Sequence, residues 1–221
     1  CMKMLVVGCS HHRTPVSIRE RLAFSPEQAC TALDHWRCRF PRVESVLLST
    51  CNRVEMYVAS EHASPSQEDV AAFLARCHDL DPAEVFEYLY QRDGDQAVRH
   101  LFTVACSLDS MVVGEPQILS QVKQAYQLAA ERASAGPLMH LAFQAALKVA
   151  RRVATETAIH QRRVSVPSVA VADFAQQIFE RFDDKHTVVL GAGEMAEETL
   201  RYLCDEGAHQ ITMINRSYER A

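Results

Sequence analysis

The sequence predicts an α+β protein in two parts: an N-terminal ferredoxin-like (split βαβ) unit continued by helices, then a short α/β segment of the parallel, nucleotide-binding kind. Three observations carry this. Strand and helix patterns run β-α-β-β-α-β between Met4 and Tyr90, the order in which two helices cover one face of a four-stranded sheet. From Asp95 to Ile159 the apolar spacing is helical throughout. The apolar run Thr187 to Leu190 then leads into Gly191-Ala192-Gly193-Glu194-Met195-Ala196 and a further helix pattern, the context of a dinucleotide-binding turn.

Taken in order, Met4 to Gly8 reads as a short buried strand, followed by the polar turn His11-His12-Arg13-Thr14-Pro15. A helix should start at Ser25, because Ser25-Pro26-Glu27-Gln28 combines an N-cap serine, proline at the first helical position and glutamine at N3. Ala29, Leu33 and Trp36 follow at helical spacing. Val46-Leu47-Leu48 and Met56-Tyr57-Val58 read as strands, Ser66 to Cys77 as a helix (Val70, Phe73, Leu74), and Phe86 to Tyr90 as a last strand. Val98, Leu101, Phe102, Ala105 and Leu108 then share one helical face, with a break at Gly114. Ile118, Val122, Ala125, Tyr126 and Ala129 form the next, which Gly136-Pro137 closes. Leu138 to about Ile159 is long for a globular helix, and its basic flank predicts an arm between two lobes rather than a core element. A helix from Val169 to Phe182, the strand Thr187 to Leu190, a helix to Glu206 and the strand Gln210 to Ile214 complete the pattern. The predicted domains are residues 1–137, a linker helix over 138–165, and a partial Rossmann-type domain over 166–221.

Composition narrows the classes. An apolar share of 48% with seven glycines and eight prolines in 221 residues excludes disordered and collagen-like chains. No uncharged apolar run reaches the ~18 residues of a membrane span, and Met2-Lys3-Met4-Leu5 leads into a strand rather than a signal-peptide core. The expectation is a cytoplasmic protein. Eight cysteines without a Cys-x-x-Cys pair or a zinc-like His/Cys grouping favour free thiols over disulfides or metal. The formal charge of −5 argues against nucleic-acid binding by the whole surface. A local basic face exists in Lys148, Arg151, Arg152, Arg162 and Arg163 against Glu156, though such clusters are more often solvated helix faces.

The chemistry centres on Ser49-Thr50-Cys51-Asn52-Arg53-Val54-Glu55, which joins two strands and displays one cysteine among polar and cationic residues. A thiol serves as a nucleophile near neutral pH when a nearby cation or oriented donor stabilises its thiolate, and Arg53 is the expected cation. In the last segment the glycines permit a sharp turn and close approach of a pyrophosphate to a helix N-terminus. Asn215-Arg216-Ser217 falls where the ribose is read, and an arginine without Asp or Glu there suits the 2′-phosphate of NADP. A thiol with a nicotinamide unit implies an acyl substrate, a thioester and an aldehyde product.

The string Ser-Thr-Cys-Asn-Arg-Val-Glu resembles the active-site signature of glutamyl-tRNA reductases. The block from His100-Leu101-Phe102 through Leu108-Asp109-Ser110-Met111-Val112-Val113-Gly114-Glu115-Pro116-Gln117-Ile118-Leu119-Ser120-Gln121-Val122-Lys123 is similar to that family's substrate-pocket motif. The resemblance implies NADPH-dependent reduction of glutamyl-tRNA(Glu) to glutamate-1-semialdehyde through a Cys51 thioester. Thr50, Asn52, Arg53, Ser110, Glu115, Pro116, Gln117 and Gln121 would surround the glutamyl group, and His100 would lie close to the thiol and assist proton transfer. Gly191, Ala192, Gly193, Glu194, Met195, Ala196, Asn215, Arg216 and Ser217 would hold NADPH. It implies glutamate-1-semialdehyde aminomutase as a partner and a homodimer formed through a C-terminal domain. Two departures stand out: Ala158-Ile159-His160-Gln161-Arg162-Arg163 replaces an expected glycine-containing turn, and the family continues beyond Ala221, so an N-terminal fragment with acyl-transfer or esterase but not reductase activity is expected. The competing classes are a non-catalytic tRNA-binding or regulatory module and another kind of aldehyde dehydrogenase. The second is disfavoured because the thiol precedes the nucleotide fold on its own small domain.

Overall fold

The computed structural model describes residues 3–61, 65–159, 167, 170–175, 178–179 and 181–217. The chain forms two compact units, Cys1–Ile159 and His160–Ala221.

In the first unit the elements are β1 (Lys3–Ser10), α1 (Val16–Leu22), α2 (Pro26–Arg39), β2 (Glu44–Ser49), β3 (Arg53–Ser60), α3 (Gln67–Arg76), α4 (Pro82–Phe86), β4 (Tyr90–Asp93), α5 (Asp95–Ala105), α6 (Gln117–Glu131) and α7 (Pro137–Glu156). The sheet runs β2-β3-β1-β4 with every pair antiparallel. Every residue of β3 is buried, so both faces of this central strand are covered. Gly8 faces Glu55 across the β1–β3 ladder, and a Cβ on Gly8 would lie 2.3 Å from the Val54 carbonyl oxygen. Only glycine lets these two backbones approach so closely.

Local chemistry sets the element ends. The Ser25 hydroxyl accepts from the Gln28 N–H at 3.2 Å while the Gln28 side chain accepts from the Ser25 N–H at 2.8 Å, so α2 starts at the predicted capping box. The predicted strand 86–90 lies later, at Tyr90–Asp93, because Asp81 caps a short helix with Pro82 in its first turn. Helix α1, after Pro15, has no counterpart in the predicted pattern. On α5 the buried face is Ala97, Leu101, Val104 and Ala105, while Val98 and Leu108 are exposed. The helix ends at Ala105 and Ser107 turns the chain at φ 59°, which removes Leu108 from the expected stripe.

Helix α7 corrects a second expectation. It was expected not to be a core element, yet Met139, Phe143, Ala146, Leu147 and Ala150 are buried, and the Phe143 ring meets Tyr57 of β3 edge to face. Glu44 at the start of β2 accepts from the N–H groups of Leu138 and Met139 at 3.2 and 2.7 Å, tying a carboxylate to the positive end of α7.

The second unit holds a stretch of wide helical turns over Ala170–Ala175, β5 (His186–Leu190), α8 (Glu194–Asp205) and β6 (Gln210–Ile214). Strands β5 and β6 pair in parallel, from His186 opposite Gln210 to Leu190 opposite Ile214. Its small core is Val171, Phe182, Leu203 and Ala208. Residues 169, 176, 177 and 180 of the predicted helix 169–182, and the segment 160–166 with Arg162 and Arg163, lie outside the described residues. Among the described residues no helix is long and apolar enough to cross a membrane, and no cluster of three or more His, Cys, Asp or Glu could hold a metal ion.

Candidate active site

The β2–β3 hairpin closes through the Thr50 N–H, which donates to the Arg53 carbonyl at 2.8 Å, and the loop between them is Cys51-Asn52. The Thr50 hydroxyl accepts from the N–H groups of Asn52 and Arg53, both at 3.1 Å, and stiffens the turn. Cys51 is an exposed free thiol at its tip. It opens onto a small, shallow cleft lined by Thr50, Cys51, Asn52, Arg53, Ser110, Glu115, Ile118 and Gln121. Residues far apart in sequence thus meet because the loop after α5 and the first turns of α6 fold over the hairpin. The Ser107 hydroxyl donates to that of Ser110 at 3.1 Å, and the Gly114 N–H donates to the Ser107 carbonyl at 3.0 Å.

Pro116 and Gln117 open α6 and do not line this cleft. His100 does not line it either. Its Nε2 lies 2.8 Å from Glu55 Oε1 and 3.4 Å from the Tyr90 hydroxyl. The cause is a buried charged network. Alternation along β3 puts Arg53, Glu55 and Tyr57 on one face. Arg53 donates to Glu55 at 2.7 Å and to Asp109 Oδ2 at 3.0 Å, and the Tyr57 and Tyr90 hydroxyls donate to the same Glu55 carboxylate. Burial alone would raise Glu55, but the Arg53 charge and the His100 and Tyr57 contacts hold its carboxyl below the usual range.

The electrostatics of the thiol differ from the expectation as well. Burial pushes the Cys51 thiol up, the Glu115 carboxylate adds to that, and Arg19 pulls it down. Arg53 is occupied by Glu55 and Asp109, and the cation that acts on Cys51 is Arg19 of α1. Its Nη1 donates to the Cys51 carbonyl at 2.7 Å and to Asn52 Oδ1 at 3.2 Å. Sequence reasoning missed Arg19, Glu55 and Tyr90. A carboxylate flanked by Val54 and Met56 in a buried strand was a readable signal for Glu55, whereas nothing in the spacing points from Arg19 to Cys51. His11 is a further neighbour. Its N–H donates to the Asn52 carbonyl at 2.9 Å, and its ring lies 4.0 Å from that of His12, which reaches Asp109 at 3.0 Å.

In the second unit the turn between β5 and α8 has Gly191 at φ 107°, a conformation side chains rarely adopt, and Gly193 at the N-cap with no side chain capping the helix. No atom lies within 4 Å of where a Cβ would stand on either glycine. Arg216 is exposed just past β6, and Asn215 Nδ2 donates to the Ser217 carbonyl at 2.8 Å.

Fold and site together define a class: an α+β unit that displays a cysteine over a polar cleft, followed by the strand-turn-helix-strand of a nucleotide-binding fold. Residues 7–157 match the family described as glutamyl-tRNA(Glu) reductase, N-terminal domain, and residues 173–221 match the shikimate/quinate 5-dehydrogenase family. The whole chain is 50% identical to a glutamyl-tRNA reductase of Rhodopirellula baltica and 44% identical to one of Magnetococcus marinus, spanning 52% of each. The solved glutamyl-tRNA reductase from Methanopyrus kandleri superposes with a TM-score of 0.64 at 34% identity, over 99% of this chain and 50% of that one. The chain belongs to the glutamyl-tRNA reductase family. It spans about half the length of the curated relatives it matches.

Proposed function

We propose that this chain carries the acyl-transfer site of an enzyme that reduces glutamyl-tRNA(Glu) to glutamate-1-semialdehyde, the first step of five-carbon tetrapyrrole (5-aminolevulinate) biosynthesis in the cytoplasm. The β2-β3-β1-β4 order is read as the ferredoxin-like arrangement with extra helical cover from α5 to α7. The observation that carries the function is the exposed Cys51 on a hydrogen-bonded hairpin turn, opening onto a cleft with Thr50, Asn52, Ser110, Glu115 and Gln121. In this reading the Cys51 sulfur attacks the ester carbonyl, the S–C bond forms, the C–O bond to the tRNA breaks, and the thiol proton ends on the departing oxygen. Glu115 is the acidic group placed for the substrate ammonium, while Thr50, Ser110 and Gln121 offer hydrogen bonds to its side-chain carboxylate and Asn52 stands beside the thiol. His100 is assigned to the support of Arg53 through Glu55 rather than to the departing oxygen.

The second unit fits a dinucleotide: its glycine turn is open, its helix N-terminus lacks a side-chain cap, and Arg216 stands ready for a phosphate. Gly191 to Ala196 would hold the pyrophosphate and Asn215 to Ser217 the ribose phosphate. NADPH, when bound, supplies the hydride that with one proton converts the thioester to aldehyde and frees the thiol. Glutamate-1-semialdehyde aminomutase as receiver of the product, and a homodimer through a C-terminal domain, are proposals of the same standing.

The test is peptide mass mapping after incubation with glutamyl-tRNA. A glutamyl adduct on Cys51, absent in Cys51→Ser, is the expected result, since a serine hydroxyl stays protonated here and Cys51 carries no core packing. Ester turnover without label on Cys51 would overturn the assignment. Adduct without aldehyde under NADPH would restrict this chain to acyl transfer.

A further inference from the structure

Arg19 is 93% buried, being only 7% exposed, and it holds three oxygens: Thr14 O at 3.2 Å from Nε, and Cys51 O and Asn52 Oδ1 at 2.7 and 3.2 Å from Nη1. Among the described residues none of these partners is a carboxylate. A guanidinium placed in a protein interior without a counter-charge is unfavourable unless something else needs the charge there. Arg53 presents the contrasting case, since its charge is matched by Glu55 and Asp109.

A guanidinium carries five donors and no acceptor. The Asn52 amide must therefore turn its oxygen to Arg19, which leaves its Nδ2 hydrogens for a group entering the cleft that Asn52 lines. The backbone hold is of the same kind. Arg19 grips the Cys51 carbonyl, and the Thr50 hydroxyl grips the N–H groups of Asn52 and Arg53, so the loop is fixed from both sides.

We propose that Arg19 is a positioning residue for acyl transfer: it clamps the Cys51-Asn52 turn, aims the Asn52 amide N–H at the oxygen of the carbonyl under attack, and places an unmatched positive charge behind the sulfur. This rests on the reading of Cys51 as the nucleophile. As the S–C bond forms, the carbonyl oxygen becomes an oxyanion, and a donor already oriented toward it stabilises that charge without reorganising. The charged groups that face this turn are Arg19 from α1, Arg53 from β3 with its partners Glu55 and Asp109, His11 and His12 from the segment after β1, and Glu115 before α6. Of these, Glu115 opposes the thiolate and Arg19 favours it.

The experiment follows the pH dependence of Cys51 alkylation by iodoacetamide in the 221-residue chain, read by peptide mass mapping so that the other thiols do not interfere. Arg19→Gln, checked for folding by circular dichroism, should raise the alkylation midpoint by about one pH unit and slow the reaction near neutral pH by roughly tenfold. Arg19→Lys should restore the midpoint. A purely structural role predicts a lower melting temperature with an unmoved midpoint, and a folded Arg19→Gln that behaves so overturns the proposal. If Arg19→Gln does not fold, Arg19→Lys decides: a midpoint kept at the wild-type value supports the proposal, and one raised by a full unit overturns it. Alkylation needs no acyl donor, so a failure of glutamyl transfer to Cys51 registers separately from a failure of Arg19.

Discussion

Strand β3 of the first unit and strand β5 of the second are both rich in apolar residues, yet they sit in opposite surroundings. All eight residues of β3 are buried. Along β5 and β6 exposed and half-buried residues alternate, and Val188, Leu190 and Ile214 are 53, 77 and 53% exposed. Cover on both faces is what allows β3 to carry Arg53 and Glu55 into the interior, because a buried ion pair survives only where every lone pair and proton finds a partner. The glycine turn of the second unit is instead carried by a two-stranded parallel ribbon that leaves Val188, Leu190 and Ile214 exposed on one face. Parallel strands ordinarily have both faces covered. The first unit therefore holds its charged cluster on a strand covered on both faces, and the second holds its glycine turn on a partly exposed pair of strands.

The largest expected difference is in hydrogen exchange. Amides of β3 should exchange on the order of 10³ times more slowly than those of β5 and β6, since protection follows buried contacts and burial of the hydrogen-bonded backbone. Equal protection by mass spectrometry would erase the comparison.

Glu55→Gln should destabilise the first unit by about 3–5 kcal/mol, by leaving Arg53 buried beside a neutral amide. Trp36 is the only tryptophan of the chain and is fully buried in that unit, so urea unfolding followed by its fluorescence isolates the effect. The pH dependence has a definite sign. The folded Glu55 carboxyl is held below its usual range by Arg53 against the pull of burial. Its contribution is thus present above the unfolded value of about 4.3 and is lost as pH falls through and below that value. Wild-type stability should begin to drop below about pH 5 and keep dropping as pH falls further, and Glu55→Gln should show a shallower slope over the same range.

Gly8→Ala should cost about 2–3 kcal/mol in the same assay, because its Cβ would meet backbone rather than a movable side chain. In a form of the protein spanning the full length of its relatives, Arg216→Ala should weaken NADPH by about 1.5–2 kcal/mol and leave NADH nearly unchanged, the value of one charge-assisted phosphate contact. Equal losses in a titration would remove Arg216 from the phosphate site. The smallest effect belongs to Gly193→Ala. With φ −93° and no atom within 4 Å of the new Cβ, stability should change by less than about 0.5 kcal/mol. NADPH affinity should nonetheless fall, since the methyl occupies the space a pyrophosphate would use.

The sequence alone determined what depends on neighbours along the chain. The capping box at Ser25 placed α2, the two apolar runs on either side of Cys51 placed the hairpin, and the apolar run before Gly191 placed the glycine turn, since caps, short apolar runs and tight turns are set within a few residues. The string around Cys51 and the block from His100 to Lys123 also carried the family. Only the tertiary structure decided which side chains share a space. It gathered Ser110, Glu115 and Gln121 around Cys51, joined His100 to Glu55, matched Arg53 with Asp109, and brought Arg19 from a helix 32 residues upstream onto the Cys51 carbonyl. It also made α7 a core helix, because the cap at Glu44 and the contact of Phe143 with Tyr57 lie across the sheet. Charge pairing and burial depend on contacts between distant segments, and those distances exist only once the sheet has closed.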